Sequence, residues 1–211
     1  MHDPLFYAAA VAASGALAVW GRHPGRMPLH WVFKPLPAGL LLGAVWTMGA
    51  GPTQTWVLLG LALSLVGDIM LMLPRRFFVL GLVSFLLALL AYAIGFSLGV
   101  TFVPLHLALL LAPLAVAIPV LRMLWPHTGK LRPAVVAYVA VMVVMVWRML
   151  SRTGADVSMT SYVYGCVGGF LFMTSDSLLA LRRFAGRPVP YPLELGPYFL
   201  AQWCLAATTW T

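Results

Sequence analysis

Residues 55–73 read TWVLLGLALSLVGDIMLML, an apolar run in which Asp68 is the only charged residue. A helix needs about 20 apolar residues to cross the hydrocarbon core of a bilayer, so this run predicts a transmembrane helix. Of the 211 residues, 62% are hydrophobic and 9% are charged, whereas a soluble domain carries about 25% charged residues. This composition argues against a water-soluble enzyme, a disordered chain and a disulfide scaffold, and it predicts an all-α integral membrane protein.

Seven further apolar runs surround this one. Together they predict a single integral membrane domain, residues 1–211, built as a polytopic bundle of eight transmembrane helices. The eight runs are residues 5–20, 31–48, 55–73, 78–96, 103–124, 131–150, 158–181 and 192–210. The first run is expected to be retained and not cleaved as a signal peptide, because no Lys or Arg precedes it. Prolines inside the runs are expected to kink the helices without breaking them. Glycines spaced four residues apart are expected to let neighbouring helices approach closely.

The basic residues predict the orientation of this bundle, because cytoplasmic loops of membrane proteins are rich in Lys and Arg. The opposite side of the bundle offers only Arg148 and Arg152. The loops that follow odd-numbered runs hold, or adjoin, Arg22, Arg26, Lys34, Arg75, Arg76, Arg122, Lys130, Arg132, Arg182, Arg183 and Arg187. Both termini are therefore predicted outside the cytoplasm. The net charge of +8 comes from basic residues that lie between apolar runs, where they orient the protein in the cell membrane. The expected partner is therefore membrane lipid and not nucleic acid.

Two acidic residues lie inside the predicted spans, at matching positions. Asp68 and Asp176 each precede the last apolar residue of their run by five positions, about 7.5 Å along a helix. Each is followed by an apolar stretch and then Arg-Arg-Phe, which suggests two parallel four-helix halves. An acid at this depth, just below the cytoplasmic boundary, is costly and indicates a functional site. Pairing with a loop arginine remains the alternative, while Asp3, Asp156 and Glu194 are assigned to chain ends and helix starts.

Polar residues at a similar depth on other helices are candidates for binding a substrate. Lys34 is a candidate counter-ion for the acids or a ligand for a phosphate group. The histidines and cysteines form no spaced ligand set, so neither a metal nor another cofactor is expected. The complete set of candidate substrate-binding residues is Lys34, Ser64, Ser84, Tyr138, Ser175, Tyr198 and Gln202.

Five segments carry a resemblance to a known family. They are KPLP (34–37), GLALSLVGD (60–68), GLVSFLLA (81–88), FLFMTSDSLLA (170–180) and YFLAQ (198–202). In this order they resemble the YhhN-like lysoplasmalogenase family, whose members are eight-helix integral membrane hydrolases of ether lipids. One position departs from the family pattern, because Leu89 follows Ala88 where the family usually has His. This departure bears on the choice of substrate.

The resemblance implies hydrolysis of the vinyl ether of a lysoplasmalogen to a fatty aldehyde and glycerophosphoethanolamine or glycerophosphocholine. That chemistry suits Asp68 and Asp176 as a catalytic pair. One neutral carboxylic acid would protonate the double bond, and one carboxylate would stabilise the oxocarbenium ion and orient water. The sequence leaves open which of the two is the acid.

Two other functions use acids inside a membrane. A small proton-coupled transporter or lipid-binding membrane protein is the stronger alternative, because parallel repeats and buried acids also suit proton coupling. An intramembrane aspartyl protease is disfavoured, because its signature Gly-x-Gly-Asp would need glycine at Leu65.

Overall fold

The computed structural model describes residues 4–153 and 155–211. Asp3 and the residues that precede it lie outside the described residues, so the assignment of Asp3 to the chain end stays a prediction. The described residues form ten α-helices: α1 Pro4–Trp20, α2 Met27–Phe33, α3 Leu36–Met48, α4 Gln54–Met72, α5 Phe78–Gly95, α6 Leu105–Leu109, α7 Leu111–Leu124, α8 Arg132–Leu150, α9 Met159–Phe184 and α10 Tyr191–Ala207. Short 3-10 turns occupy Arg75–Phe77, Trp125–His127 and Gly129–Leu131. The predicted all-α class is confirmed.

Five helical segments of the described chain are long and apolar enough to cross a membrane. They are Gln54–Met72, Arg75–Gly95, Leu105–His127, Gly129–Leu150 and Met159–Phe184. The helix Pro4–Trp20 is also apolar but is shorter. The protein is therefore a polytopic membrane bundle.

Two of the eight predicted runs are divided, both near prolines. The second run divides at Lys34 and Pro35, yet both residues keep right-handed helical backbone angles, φ −70° and ψ −46° for Lys34 and φ −78° and ψ −17° for Pro35. Pro35 and Pro37 have no N–H to donate to the preceding turn, so the helix loses hydrogen bonds there. The fifth run divides in the same way at Leu110, ahead of Pro113. The two interruptions therefore fall near prolines, where the sequence predicts kinks, and Lys34 lies at the first of them.

The buried centre of the bundle lies where α4 packs along α5 and α9 packs along α10. Leu61, Leu89, Tyr92, Phe172 and Leu205 fill it and are fully buried. These four helices carry both of the aspartates that the sequence singles out, on α4 and α9. The centre therefore fixes the relative positions of the two acids.

Small residues spaced four apart were expected to allow close contacts between helices. A Cβ on Gly95 would lie 2.6 Å from Trp56, and one on Gly169 would lie 2.5 Å from Met149, so these glycines do sit in close contacts. The prediction is wrong for Gly39 and Gly43, because no described atom lies within 4 Å of a Cβ built on either residue. This face of α3 lies on the outside of the bundle.

The turn between α9 and α10 folds the last helix back onto the site. Gly186 has φ +62°, a left-handed conformation that glycine adopts without strain. The N–H groups of Ala185 and Arg187 both donate to the carbonyl of Leu181, at 3.1 and 3.2 Å, which completes the end of α9. The start of α10 is thereby brought beside the basic end of α9.

Candidate active site

The two aspartates line the same cavity, which measures about 220 Å³. Asp68 is 1% exposed on α4 and Asp176 is 8% exposed on α9. The cavity lies toward the end of the bundle that carries the basic loops, because Arg22, Arg182 and Arg183 also line it. The equal depth predicted for the two aspartates thus corresponds to one shared cavity.

Asp68 has a cationic partner and a phenolic partner. The Nζ atom of Lys34 lies 3.1 Å from its Oδ1, and the hydroxyl of Tyr198 donates to its Oδ2 at 2.7 Å. Gln202 supports this arrangement, since its Nε2 donates to the Tyr198 hydroxyl at 3.1 Å and its Oε1 accepts from Tyr92 at 2.8 Å. A buried chain of hydrogen bonds therefore runs from α5 through α10 to Asp68. Lys34 acts as the counter-ion of this carboxylate.

Asp176 has a different environment. The hydroxyl of Tyr138 donates to its Oδ2 at 2.5 Å. Among residues 4–153 and 155–211, no nitrogen of a Lys, Arg or His side chain lies within 4.0 Å of its carboxyl oxygens. The two aspartates therefore differ in their partners, since among the described residues Asp68 contacts a cation and a phenol and Asp176 contacts a phenol alone.

Ser175 and Glu194 join α9 to the start of α10. The hydroxyl of Ser175 donates to the backbone carbonyl of Glu194 at 2.8 Å. The Glu194 carboxylate accepts from Nε of Arg182 at 2.5 Å and from a terminal nitrogen of the same side chain at 2.7 Å. Glu194 does occupy the first turn of α10, as its position in the sequence predicts, but it also lines the cavity. Sequence reasoning assigned it to the helix start alone.

The structure does not bring every predicted residue to the cavity. Ser84 donates its hydroxyl to the carbonyl of Leu63 at 2.6 Å, which ties α5 to α4. Ser64 is fully buried on α4, and neither serine lines the cavity. Gln202 acts one residue away, through Tyr198. Asp156 is exposed and precedes Ser158, whose side chain caps the start of α9 at Ser161.

The cavity is also lined by residues outside the predicted set, among them Arg22, His30 and Tyr191. The guanidinium of Arg22 lies 3.9 Å from the centroid of the Tyr191 ring, and one of its terminal nitrogens donates to the Tyr191 hydroxyl. His30 is buried, with Nδ1 2.8 Å from the carbonyl oxygen of Ala18. The basic loops that predict the orientation include Arg22, but nothing in the sequence singled out His30 or Tyr191.

A second, apolar pocket of about 120 Å³ adjoins the cavity. It lies between α5, α7, α8 and α9, and Tyr138 lines it. Asp176, Leu179 and Arg183 line both spaces. Asp176 therefore stands at the junction of a polar cavity and an apolar one. In the described part of the chain, no three His, Cys, Asp or Glu side chains are grouped so that they could hold a metal ion.

This chain is similar in sequence to a bacterial membrane protein and to two mammalian lysoplasmalogenases. The membrane protein YhhN of Escherichia coli O6:H1 is 35% identical over 143 residues, which are 65% of this chain and 66% of that protein. Human lysoplasmalogenase TMEM86A is 33% identical over 164 residues, or 74% of this chain and 66% of that protein. Mouse lysoplasmalogenase TMEM86B is 31% identical over 179 residues, or 82% of this chain and 73% of that protein. The chain thus spans just under two thirds of the length of the first two relatives.

No solved structure gives a significant match to this chain. Residues 29–209 match the YhhN family, which confirms the resemblance carried by the five sequence segments. Since this match covers most of the chain, the protein belongs to the YhhN family.

Proposed function

We propose that this protein hydrolyses the vinyl ether bond of a lysoplasmalogen-type lysophospholipid, releasing a fatty aldehyde and a glycerophosphoethanolamine or glycerophosphocholine. The observation that carries the proposal is that Asp68 and Asp176 line one cavity with different partners. Two relatives that bear the name lysoplasmalogenase add support. The reaction needs no metal and no cofactor.

The different partners of the two aspartates support different roles. Asp68 remains a carboxylate, because the ammonium group of Lys34 compensates its charge at 3.1 Å. Asp176 serves as the neutral acid, because its hydrogen bond comes from the phenol of Tyr138 and brings no countercharge. The pair then supplies one proton donor and one stabilising anion, the two groups that vinyl ether hydrolysis requires.

The reaction proceeds in three balanced steps. The π electrons of the vinyl ether take the proton of Asp176 at the β-carbon, leaving an oxocarbenium ion stabilised by the Asp68 carboxylate. Water, oriented by Asp68, adds to the α-carbon, and the proton that it loses returns to Asp176. The resulting hemiacetal breaks its bond to the glycerol oxygen while its hydroxyl proton moves to that oxygen. The products are an aldehyde and an alcohol, and both aspartates regain their initial states.

The two adjoining cavities suit a lipid with a single chain. The apolar pocket takes the alkenyl chain, and the polar cavity takes the glycerol and its phosphate. The vinyl ether joins these two parts of the substrate, and Asp176 stands where the two cavities meet. Binding of this kind places the bond beside the proton donor.

The membrane arrangement that goes with this function has eight spans, with α2 and α3 forming one of them and α6 and α7 another. Both termini lie outside the cytoplasm, and the cavity faces the cytoplasmic side, where the basic loops collect. The two aspartates would then lie just below the cytoplasmic boundary of the bilayer, which is also the depth of the vinyl ether below the headgroup of a lysolipid.

Purified protein in detergent, given a lysoplasmalogen, tests the proposal by the release of aldehyde. Asp68→Asn and Asp176→Asn should each abolish release while keeping the elution volume and circular dichroism of the wild type. Full activity in both variants would overturn the mechanism. Transport needs a sealed bilayer and a gradient, so release of aldehyde in detergent also separates the hydrolase from the transporter.

A further inference from the structure

The cavity wall carries more positive charge than its carboxylates compensate. Its cationic lining residues are Arg22, Lys34, Arg182 and Arg183. Lys34 is paired with Asp68, and Arg182 is paired with Glu194. Within the residues that the structure describes, neither Arg22 nor Arg183 has a carboxylate oxygen within 4.0 Å. Two guanidinium groups of the wall are therefore left for an anion.

Arg22 is held in position without being neutralised. Its guanidinium stacks on the ring of Tyr191 and donates to the Tyr191 hydroxyl. Tyr191 is held in turn by Arg182, whose guanidinium lies 4.7 Å from the same ring centroid. The Nε atom of Arg22 is buried and has no hydrogen-bond partner among the described residues. A buried donor without a partner is costly, and an anionic ligand would satisfy it.

Arg183 stands between the polar and apolar spaces. It lines both the cavity and the apolar pocket, and its guanidinium lies 5.5 Å from the ring centroid of Phe78. A lipid whose chain occupies the apolar pocket has its first polar groups at this position. Arg183 is therefore placed within reach of a phosphate that follows the glycerol of such a lipid.

We propose that Arg22 and Arg183 form a phosphate subsite, and that the cavity recognises the phosphate of the lipid but not the amine that follows it. The inference rests on the proposed function, because it names the headgroup chemistry that the same cavity reads. Guanidinium groups bind phosphate oxygens through paired, charge-assisted hydrogen bonds.

The amine of the headgroup finds no such partner. Asp68 and Glu194 are already engaged by Lys34 and Arg182, and Asp176 carries the proton for the reaction. No other carboxylate is among the described residues of the wall, so the ammonium of ethanolamine or choline has no free acid to contact. The two headgroups should therefore bind equally well.

Hydrolysis of three substrates by purified protein tests the subsite: alkenyl lysophosphoethanolamine, alkenyl lysophosphocholine and alkenylglycerol, which lacks the phosphate. The wild type should treat the two phospholipids alike, with kcat/KM values within about threefold of each other. Alkenylglycerol should be poorer by about tenfold or more, since it forgoes charge-assisted hydrogen bonds.

Substitution of either arginine should remove this advantage of the phosphate. Arg22→Gln and Arg183→Gln should each lower kcat/KM for both phospholipids by about tenfold and lower it much less for alkenylglycerol. Arg187→Gln is the matched control, because Arg187 is exposed in the turn between α9 and α10 and does not line the cavity. The proposal is overturned if wild-type protein prefers alkenylglycerol, or if the arginine variants lose activity toward all three substrates equally.

Absence of aldehyde from every substrate would contradict the proposed function, and binding would then decide the subsite separately. An ester lysophosphatidylethanolamine should raise the midpoint of thermal unfolding of the wild type more than a monoacylglycerol with the same chain does. Arg22→Gln should remove that difference. Equal stabilisation of the wild type by the two lipids would overturn the subsite.

Discussion

The ammonium nitrogen of Lys34 lies 3.1 Å from Oδ1 of Asp68, and this ion pair joins the interruption between α2 and α3 to the last turns of α4. Both side chains are buried, Lys34 at 8% and Asp68 at 1% exposed. In such a place the charge of one partner depends on the presence of the other. The pair therefore links the charge proposed for Asp68 to the position of Lys34 between α2 and α3.

Removing only one member of this pair should be worse for stability than removing both. Lys34→Gln leaves a buried carboxylate without compensation, so we expect it to lower the free energy of unfolding by about 3–5 kcal/mol. Lys34→Gln combined with Asp68→Asn should regain most of that loss, yet neither protein should release aldehyde. Thermal unfolding in detergent measures the first effect. Lys130→Gln, an exposed loop lysine, should change nothing, and a double variant as unstable as Lys34→Gln would contradict the ion pair's role.

The two tyrosines that donate to the aspartates should differ in their effects on catalysis. Tyr198→Phe removes a hydrogen bond to a charged carboxylate, so we expect kcat to fall by about tenfold or more. Tyr138→Phe removes a hydrogen bond to a neutral acid, so we expect a fall of about tenfold or less. Tyr164→Phe is the control, since the Tyr164 ring packs on Trp203 away from the cavity. The reverse order of the two effects would exchange the assigned roles of Asp68 and Asp176.

Gly60, two helical turns from Asp68, leaves room for the ring of Tyr92, which belongs to the chain of hydrogen bonds that reaches Asp68. A Cβ on Gly60 would lie 2.4 Å from the ring of Tyr92, which is fully buried and donates to Gln202. Gly60→Ala must displace that ring, so we expect a loss of about 1–3 kcal/mol in the free energy of unfolding and a lower kcat. Gly43→Ala meets no described atom within 4 Å and should gain up to about 1 kcal/mol, because alanine favours a helix. Equal unfolding midpoints for the two variants would show that the Tyr92 ring can be displaced with little loss of stability.

Depth along a helix can be predicted from a sequence, and the candidate site depended on it. Asp68 and Asp176 were placed at one depth by their distance from the ends of their runs, and they do share a cavity. The same criterion selected Tyr138 and Tyr198, which contact the two acids. It also selected Ser84, which contacts a backbone carbonyl of the neighbouring helix. Depth does not fix the face of a helix, because the face depends on its rotation against its neighbours.

The remaining contacts depend on bends and turns that apolar periodicity does not encode. Lys34 contacts Asp68 from the interruption between α2 and α3 beside Pro35, and a pattern of apolar residues alone does not predict this contact. Glu194 reaches Arg182 because the chain reverses at Gly186 and brings α10 onto the end of α9. The position of Glu194 at the start of α10 already explained an acidic residue there, so its contact with Arg182 was not predicted. The turn glycine at Gly186 was the available signal for that contact.

The apolar pocket should set the length of chain that the protein accepts. Ala180 lines this pocket on the same helix as Asp176, and a phenylalanine there would fill much of a space of about 120 Å³. Each methylene that can no longer be buried forfeits about 0.8 kcal/mol, so a long chain loses more than a short one. We therefore expect Ala180→Phe to lower kcat/KM for a hexadecenyl substrate steeply while a decenyl substrate is hydrolysed nearly as before. Ala9→Phe is the matched control, because Ala9 is exposed on α1 and lies outside the pocket. Equal losses for the two chain lengths would show that the chain binds elsewhere, even if both aspartates proved essential.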